Sequence, residues 1–168
     1  MSLRVFLDRM IFSICSLILC VMVLDVSWQV FSRYVLNDPS SFSDEVARFL
    51  MIWLALLGGA YLFGARGHLA VTMLIDRFSP NLKLLVILLS YVLVIVFAGF
   101  TLIYGGYNLV LRTIKQVSPA VQIPMGYVYL ILPISGVLII LYVVLNLLDL
   151  KQTIRANQSS ETEQEVNQ

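Results

Sequence analysis

From Leu84 to Leu111 the chain reads LLVILLSYVLVIVFAGFTLIYGGYNLVL, without one Asp, Glu, Lys, Arg or His. A helix needs about 20 apolar residues, rising 1.5 Å each, to cross the roughly 30 Å hydrocarbon layer of a bilayer. This run exceeds that length and has to tilt to fit. Three further stretches qualify, at about 10–36, 46–65 and 125–148, the last introduced by Pro124 where a missing N–H is harmless. Only 12% of the 168 residues are charged and the mean hydropathy is +0.90, against about 25% charged residues in ordinary soluble domains. The expected fold class is an all-α integral membrane protein with four transmembrane helices. Residues 1–150 form its one membrane domain, and no repeat is visible. Arg4 and Arg9 followed by an apolar run resemble a signal peptide, but no small-x-small site follows Leu24, so the first span is read as uncleaved.

Orientation follows from the basic residues. Arg4, Arg9, Arg66, Arg77, Lys83, Lys151 and Arg155 fall on one side of the four spans. The other side has Arg112 and Lys115, joined by Arg33 and Arg48 if the helix ends are included. By the positive-inside rule both termini are expected in the cytoplasm and the first and third loops in the periplasm of a bacterial inner membrane. The tail 151–168, KQTIRANQSSETEQEVNQ, has too little apolar area to fold and is expected to be disordered. HLAVTMLIDRFSP, between spans two and three, and the leading SLRVFLDR are each expected to lie as short amphipathic helices in the interface.

Against this apolar background LDVSWQVFSRYVLNDPSSFSDEVARF, Leu24 to Phe49, is crowded with charge. Asp25, Gln29 and Arg33 recur every four residues and share one helix face. Arg33 is near the membrane surface and can snorkel, whereas Asp25 lies about 12 Å deeper by helix rise. An acid at that depth costs about 2.5–3.5 kcal/mol on insertion scales, so it is expected to be protonated, hydrogen-bonded, or turned to a protein or water-filled surface. On the next helix Ser41-x-x-Asp44 fits a capping box, with Ser43 as the alternative cap. Asp44 and Glu45 suit the positive end of a helix whatever else they do. In an antiparallel hairpin either acid can pair with Arg33, and Trp53, eight residues below Glu45, comes level with Asp25 and would donate its indole N–H there. Arg48 completes the cluster.

Other features point to packing. Ala55-x-x-x-Gly59 and Ala60-x-x-x-Gly64 permit close helix approach. Gly99 and Gly106, seven apart, are expected to share a face. Pro133 is expected to bend the fourth span by excluding the Tyr129 carbonyl from its helical bond. Tyr34, Tyr104, Tyr107, Tyr127 and Tyr129 gather at span ends as an aromatic belt does. The sole histidine, His68, lies outside the spans, so paired histidine ligation of haem within the bundle is excluded. Cys15 and Cys20 sit within an apolar run and read as buried apolar side chains. No nucleophile with a base, metal motif or phosphate loop is present, and the net charge of +1 gives no case for nucleic acid. The chain is not expected to be an enzyme, and no cofactor is expected.

These residues resemble the small membrane subunit, the Q or DctQ-type component, of tripartite ATP-independent periplasmic (TRAP) transporters. The resemblance covers about Met10 to Asp149. Its most specific block is FSRYVLNDPSSFSDEVARFLMIWLALLGGAYLFGARGHLAV, in which an arginine ends helix one, an acidic pair precedes an arginine, and Arg66 and His68 follow in an Arg-Gly-His loop. SPAVQIPMGYVYLILPISGVLIIL is a second, weaker block. Asp44 departs from the family's usual pair of glutamates but keeps the charge. The resemblance implies a non-catalytic subunit of a Na⁺-coupled secondary transporter, with Na⁺ and substrate held by a large multi-span subunit. It further implies a stationary scaffolding role and a soluble periplasmic substrate-binding protein docking nearby. Arg112, Lys115 and the loop from Asn37 to Ser43 become candidate contacts for that protein. Carboxylates are the substrates implied: C4-dicarboxylates, keto acids or, by preference, sialic acid.

Two rival readings remain open. A self-contained four-span transporter would use Asp25 to couple protons, although Arg33 on the same face and the one-sided basic residues weigh against it. A membrane anchor for another complex is the other.

Overall fold

The computed structural model describes residues 2–38, 40–64 and 80–166, with backbone alone for 2, 3, 80, 81, 83, 84 and 150–166. The interfacial segment expected after the second span, with Arg66 and His68, lies outside the described residues. Helix α1 is Ser2–Phe31 and runs on into a π-helical turn, Ser32–Leu36. Helix α2 is Ser41–Gly64. The third span is built from α3, Pro80–Phe97, a π-helical stretch, Ala98–Gly105, and α4, Gly106–Thr113. The fourth is α5, Met125–Tyr129, followed by α6, Ile131–Val166. Four segments are long and apolar enough to cross a membrane: Arg4–Leu36, Ser41–Gly64, Leu85–Thr113 and Met125–Asp149. The four expected spans are all present.

Burial along α1 is narrow. Between Leu7 and Ser32 the residues turned inward are Leu7, Asp8, Ile11, Cys15, Ile18, Met22, Asp25, Gln29 and Ser32. Asp8 apart, their steps of four and three trace a seam like that of a coiled coil, and α1 lays it against α2. From Val5 to Phe31 the other residues of α1 are exposed, including Leu17, Leu24 and Trp28. The leading segment is therefore no separate interfacial helix. Leu7 and the fully covered Ile11 pack with Leu57, Ile131 and Tyr142, which gains more than laying that face on lipid headgroups. Cys15 is half-buried and Cys20 exposed, so the expectation of two buried cysteines fails, because Cys20 falls off the seam.

The fourth span is the most covered of the four. One cluster joins Leu7, Ile11, Leu57, Ile131 and Tyr142. The other joins Ala60 of α2 with Tyr91, Ala98 and Leu102 of the third span and Ile139 and Val143 of α6. The second and fourth spans thus form the centre, with α1 against α2 and the third span against α6.

Small residues set the closest approaches. At Gly64 an added Cβ would collide with the Tyr142 ring, so that position admits no side chain. Ala60, one turn earlier, is wholly covered. The other small pair makes no close approach among the described residues, since Ala55 is exposed and Gly59 has no atom near its missing Cβ. Gly106 packs onto the fourth span, its Cβ position 2.8 Å from Leu132 and 3.0 Å from Pro133. Gly99 meets nothing, so the expected shared face of Gly99 and Gly106 is not formed. The π-helical stretch between them winds more widely than an α-helix and shifts their relative phase. The fourth span is interrupted at Leu130, one turn before Pro133, as the missing N–H and ring clash require.

Helix α6 extends in backbone to Val166, beyond the Lys151 boundary drawn from composition. Gln, Glu, Ala and Arg are good helix formers, which favours continuing the helix in backbone.

Candidate functional site

The polar residues gather at two ends of the bundle. At the end away from the termini the first hairpin turns within residues 37–40. The buried Ser32 hydroxyl donates to the Asp38 carbonyl, and the Asp38 N–H returns a bond to the Ser32 carbonyl at 3.2 Å. Asn37 carries the left-handed φ of 54° that the turn needs, a conformation asparagine tolerates. The Ser43 N–H donates to Ser40 Oγ at 3.3 Å, which makes Ser40 the N-cap of α2. The cap is thus one residue before the expected Ser41, and Ser43 is the donor inside the helix, its side chain 1% exposed.

Glu45 then reaches across to the third loop, over 70 residues away in sequence. One oxygen, Oε2, accepts the Ser118 hydroxyl at 3.0 Å, the Ala120 N–H at 2.9 Å and the Val121 N–H at 2.8 Å. Consecutive backbone N–H groups turned on one oxygen form an anion-binding nest, filled here by the protein's own carboxylate. The loop also closes on itself. Ser118 N–H donates to the Ile123 carbonyl at 2.9 Å, Gln122 N–H to the Ser118 carbonyl at 3.2 Å, and Met125 N–H to the Gln116 carbonyl at 2.8 Å.

The hairpin ion pair expected from sequence is absent among the described residues: Arg33 pairs with neither Asp44 nor Glu45. Arg33 belongs to the π-helical turn and is exposed, while the carboxylate of Glu45 is engaged by the loop. Asp44 and Arg48 border an open cavity of about 330 Å³ lined by Ser41, Asp44, Glu45, Arg48, Pro119 and Ala120. Arg112 and Lys115, just before the loop, are exposed.

Deeper in the bundle the expected Trp53–Asp25 bond is not made. The indole of Trp53 packs with the cluster around Ile131 and Tyr142, and its N–H donates to the Val128 carbonyl at 3.0 Å, beside the interruption in the fourth span. Asp25 and Gln29 both lie in the α1 seam. Asp25 Oδ2 is sealed from solvent without a hydrogen-bond partner, the one such side-chain atom among the described residues. The donor predicted for it is spent elsewhere.

The other end is tied by residues that sequence reading passed over. The last carbonyls of α2 need external donors. The Gly64 carbonyl accepts from Arg4, which also pairs with Asp149, and the Phe63 carbonyl accepts from Asn146 Nδ2 at 3.1 Å. The fully buried Tyr142 donates its hydroxyl to Asp8 at 2.7 Å. Arg4 and Asp8, spaced i, i+4 and bracketing Leu7, gave a signal for this; Tyr142 and Asn146 gave none.

Among the described residues no group of three His, Cys, Asp or Glu side chains is placed to hold a metal ion. What the geometry describes is a helical chain with four segments long and apolar enough to cross a membrane, whose polar groups fasten helix ends and one shaped loop. Residues 22–153 match the family described as tripartite ATP-independent periplasmic transporters, DctQ component, and the chain belongs to that family. It is similar to a provisionally named TRAP transporter small permease protein of Haemophilus influenzae, 27% identical over 138 residues, covering 82% of this chain and 85% of the relative. A second such protein of that organism is 25% identical over 137 residues, 82% of each chain. The sialic acid TRAP transporter small permease protein SiaQ of Vibrio cholerae is 31% identical over 80 residues, 48% of this chain and 46% of that one. The chain is a transport component of the inner membrane and not an enzyme.

Proposed function

We propose that this chain is the non-catalytic small subunit of a Na⁺-coupled TRAP secondary transporter. It scaffolds a large multi-span subunit that holds the substrate and Na⁺, and its loop-bearing end lies in the periplasm, where a soluble substrate-binding protein docks. The family match over residues 22–153 carries this reading. Two features support it. The basic residues favour cytoplasmic termini, and most of α1 is apolar surface left uncovered by the chain itself, as suits a helix embedded beside lipid and a larger partner. Arg33, Asp44, Arg48, Arg112 and Lys115, gathered at one end, are the polar groups available to the docked protein. Sialic acid is the preferred substrate, by likeness to the Vibrio cholerae relative, with C4-dicarboxylates next.

Reconstitution tests this. Proteoliposomes with this chain, a large TRAP membrane subunit and a TRAP substrate-binding protein from the same organism are expected to take up labelled sialic acid or succinate only with an inward Na⁺ gradient. Uptake by this chain alone would overturn the accessory role and favour a proton-coupled carrier built on Asp25, whose unpartnered oxygen is the observation behind that second reading.

A further inference from the structure

We propose that Glu45 is a positioning residue, whose carboxylate holds the third loop in the shape that the docked periplasmic protein recognises. The proposal rests on the reading above and adds to it the residue that sets one recognition surface.

Three observations carry it. Among the described residues the hydrogen bonds from the loop to α2 end on one oxygen: Ser118 Oγ, Ala120 N–H and Val121 N–H all converge on Glu45 Oε2 within 3.0 Å. Secondly, the loop conformation is not one its sequence favours unaided. Gln122 sits at φ 57°, a left-handed geometry that non-glycine residues adopt when their surroundings impose it, and Ser118 is a polar side chain 1% exposed that needs its partner. Thirdly, the open cavity has one wall from α2, through Ser41, Asp44, Glu45 and Arg48, and the other from the loop, through Pro119 and Ala120. Releasing the loop from Glu45 is therefore expected to move one wall of the cavity and loosen the segment that follows Arg112 and Lys115, although the loop's own backbone bonds remain. The carboxylate works through the loop and need not touch the docked protein.

Two variants separate the parts of the idea. Glu45→Gln keeps an amide oxygen able to accept the same three bonds; Glu45→Ala removes the acceptor. In the assembled membrane complex, amide hydrogen exchange at Ala120 and Val121 is expected to accelerate about tenfold or more in Glu45→Ala and to stay within about threefold of wild type in Glu45→Gln. In proteoliposomes, the binding-protein concentration giving half-maximal uptake is expected to rise several-fold in Glu45→Ala, with the maximal rate at saturating binding protein nearly kept. A general folding defect would lower the maximal rate instead. If Glu45→Ala fails to assemble with the large subunit, Ser118→Ala removes one donor only and is expected to move both readouts in the same direction by less. Unchanged exchange at Ala120 and Val121 would overturn the proposal, and so would a freed loop with unchanged half-maximal concentration. A wild-type chain that supports no uptake would sink the transporter reading itself, while exchange in Glu45→Ala would still decide whether the carboxylate holds the loop.

Discussion

Asp25 and Trp53 sit in the same membrane layer of the sequence reading and end up on different errands. Trp53 has one donor, and the carbonyl of Val128 takes it; Asp25 is left with a sealed oxygen and no donor. A buried acceptor without a partner costs about 1–3 kcal/mol, so Asp25→Leu, apolar and not much larger, is expected to stabilise the isolated subunit by up to about 2 kcal/mol. Denaturation by sodium dodecyl sulfate in mixed micelles, followed by circular dichroism, measures it. A loss of stability would mean that Asp25 has a donor after all. Trp53→Phe keeps an aromatic ring and deletes the N–H. It is expected to cost about 0.5–1.5 kcal/mol in the same titration, and no loss would mean the Val128 carbonyl finds another donor. That charge gathers around the first hairpin was legible in the sequence, but its pairing was not. Glu45 had two geometrically reasonable partners, a nearby arginine and a distant loop, and only the path of the third loop decides between them.

At the scale of elements, the apolar periods and Pro133 located the spans and the interruption in the fourth. Phase within a span was harder to read. Helical spacing put Gly99 and Gly106 together, and the π-helical stretch over 98–105 moved them apart, because its wider winding leaves no trace in hydropathy. The two small-residue pairs of α2 looked alike in sequence, yet one meets Tyr142 and the glycine of the other meets nothing among the described residues. This difference is testable. Gly64→Ala forces a methyl into the Tyr142 ring and is expected to destabilise by about 1–3 kcal/mol, whereas Gly59→Ala is expected to be neutral within the isolated chain. In a Tyr142→Ala background the Gly64→Ala penalty is expected to vanish, since the clashing ring is gone. An additive penalty would show that the glycine serves backbone conformation instead.

For the whole molecule, topology and the tail are the open expectations. Single cysteines at Lys115 and near the C-terminus, in a background lacking Cys15 and Cys20, are expected to divide cleanly. In intact cells a membrane-impermeant maleimide labels the first and spares the second. Labelling of the second would invert the proposed orientation. The tail from Lys151 was expected to be disordered from its composition, and that expectation makes it open to proteases. Trypsin is expected to remove it at Lys151 or Arg155 from inverted vesicles while leaving the four spans intact.

The narrow seam of α1 has a consequence for how this chain tolerates change. Only one residue in every three or four along α1 is pinned by a neighbour within the chain, so the helix reads its own sequence in a coarse code. Exchanges among large apolar residues at Leu17, Val23, Leu24 or Val30 leave the subunit's own packing untouched, whereas the same exchanges at Ile11, Ile18 or Met22 disturb the seam. A saturation mutagenesis map of α1, scored by the amount of folded subunit made without its partners, is expected to show a sparse comb of intolerant positions stepping by three and four. Any extra intolerant teeth that appear only when the complete transporter is selected for would trace the outline of whatever rests against the helix in the cell.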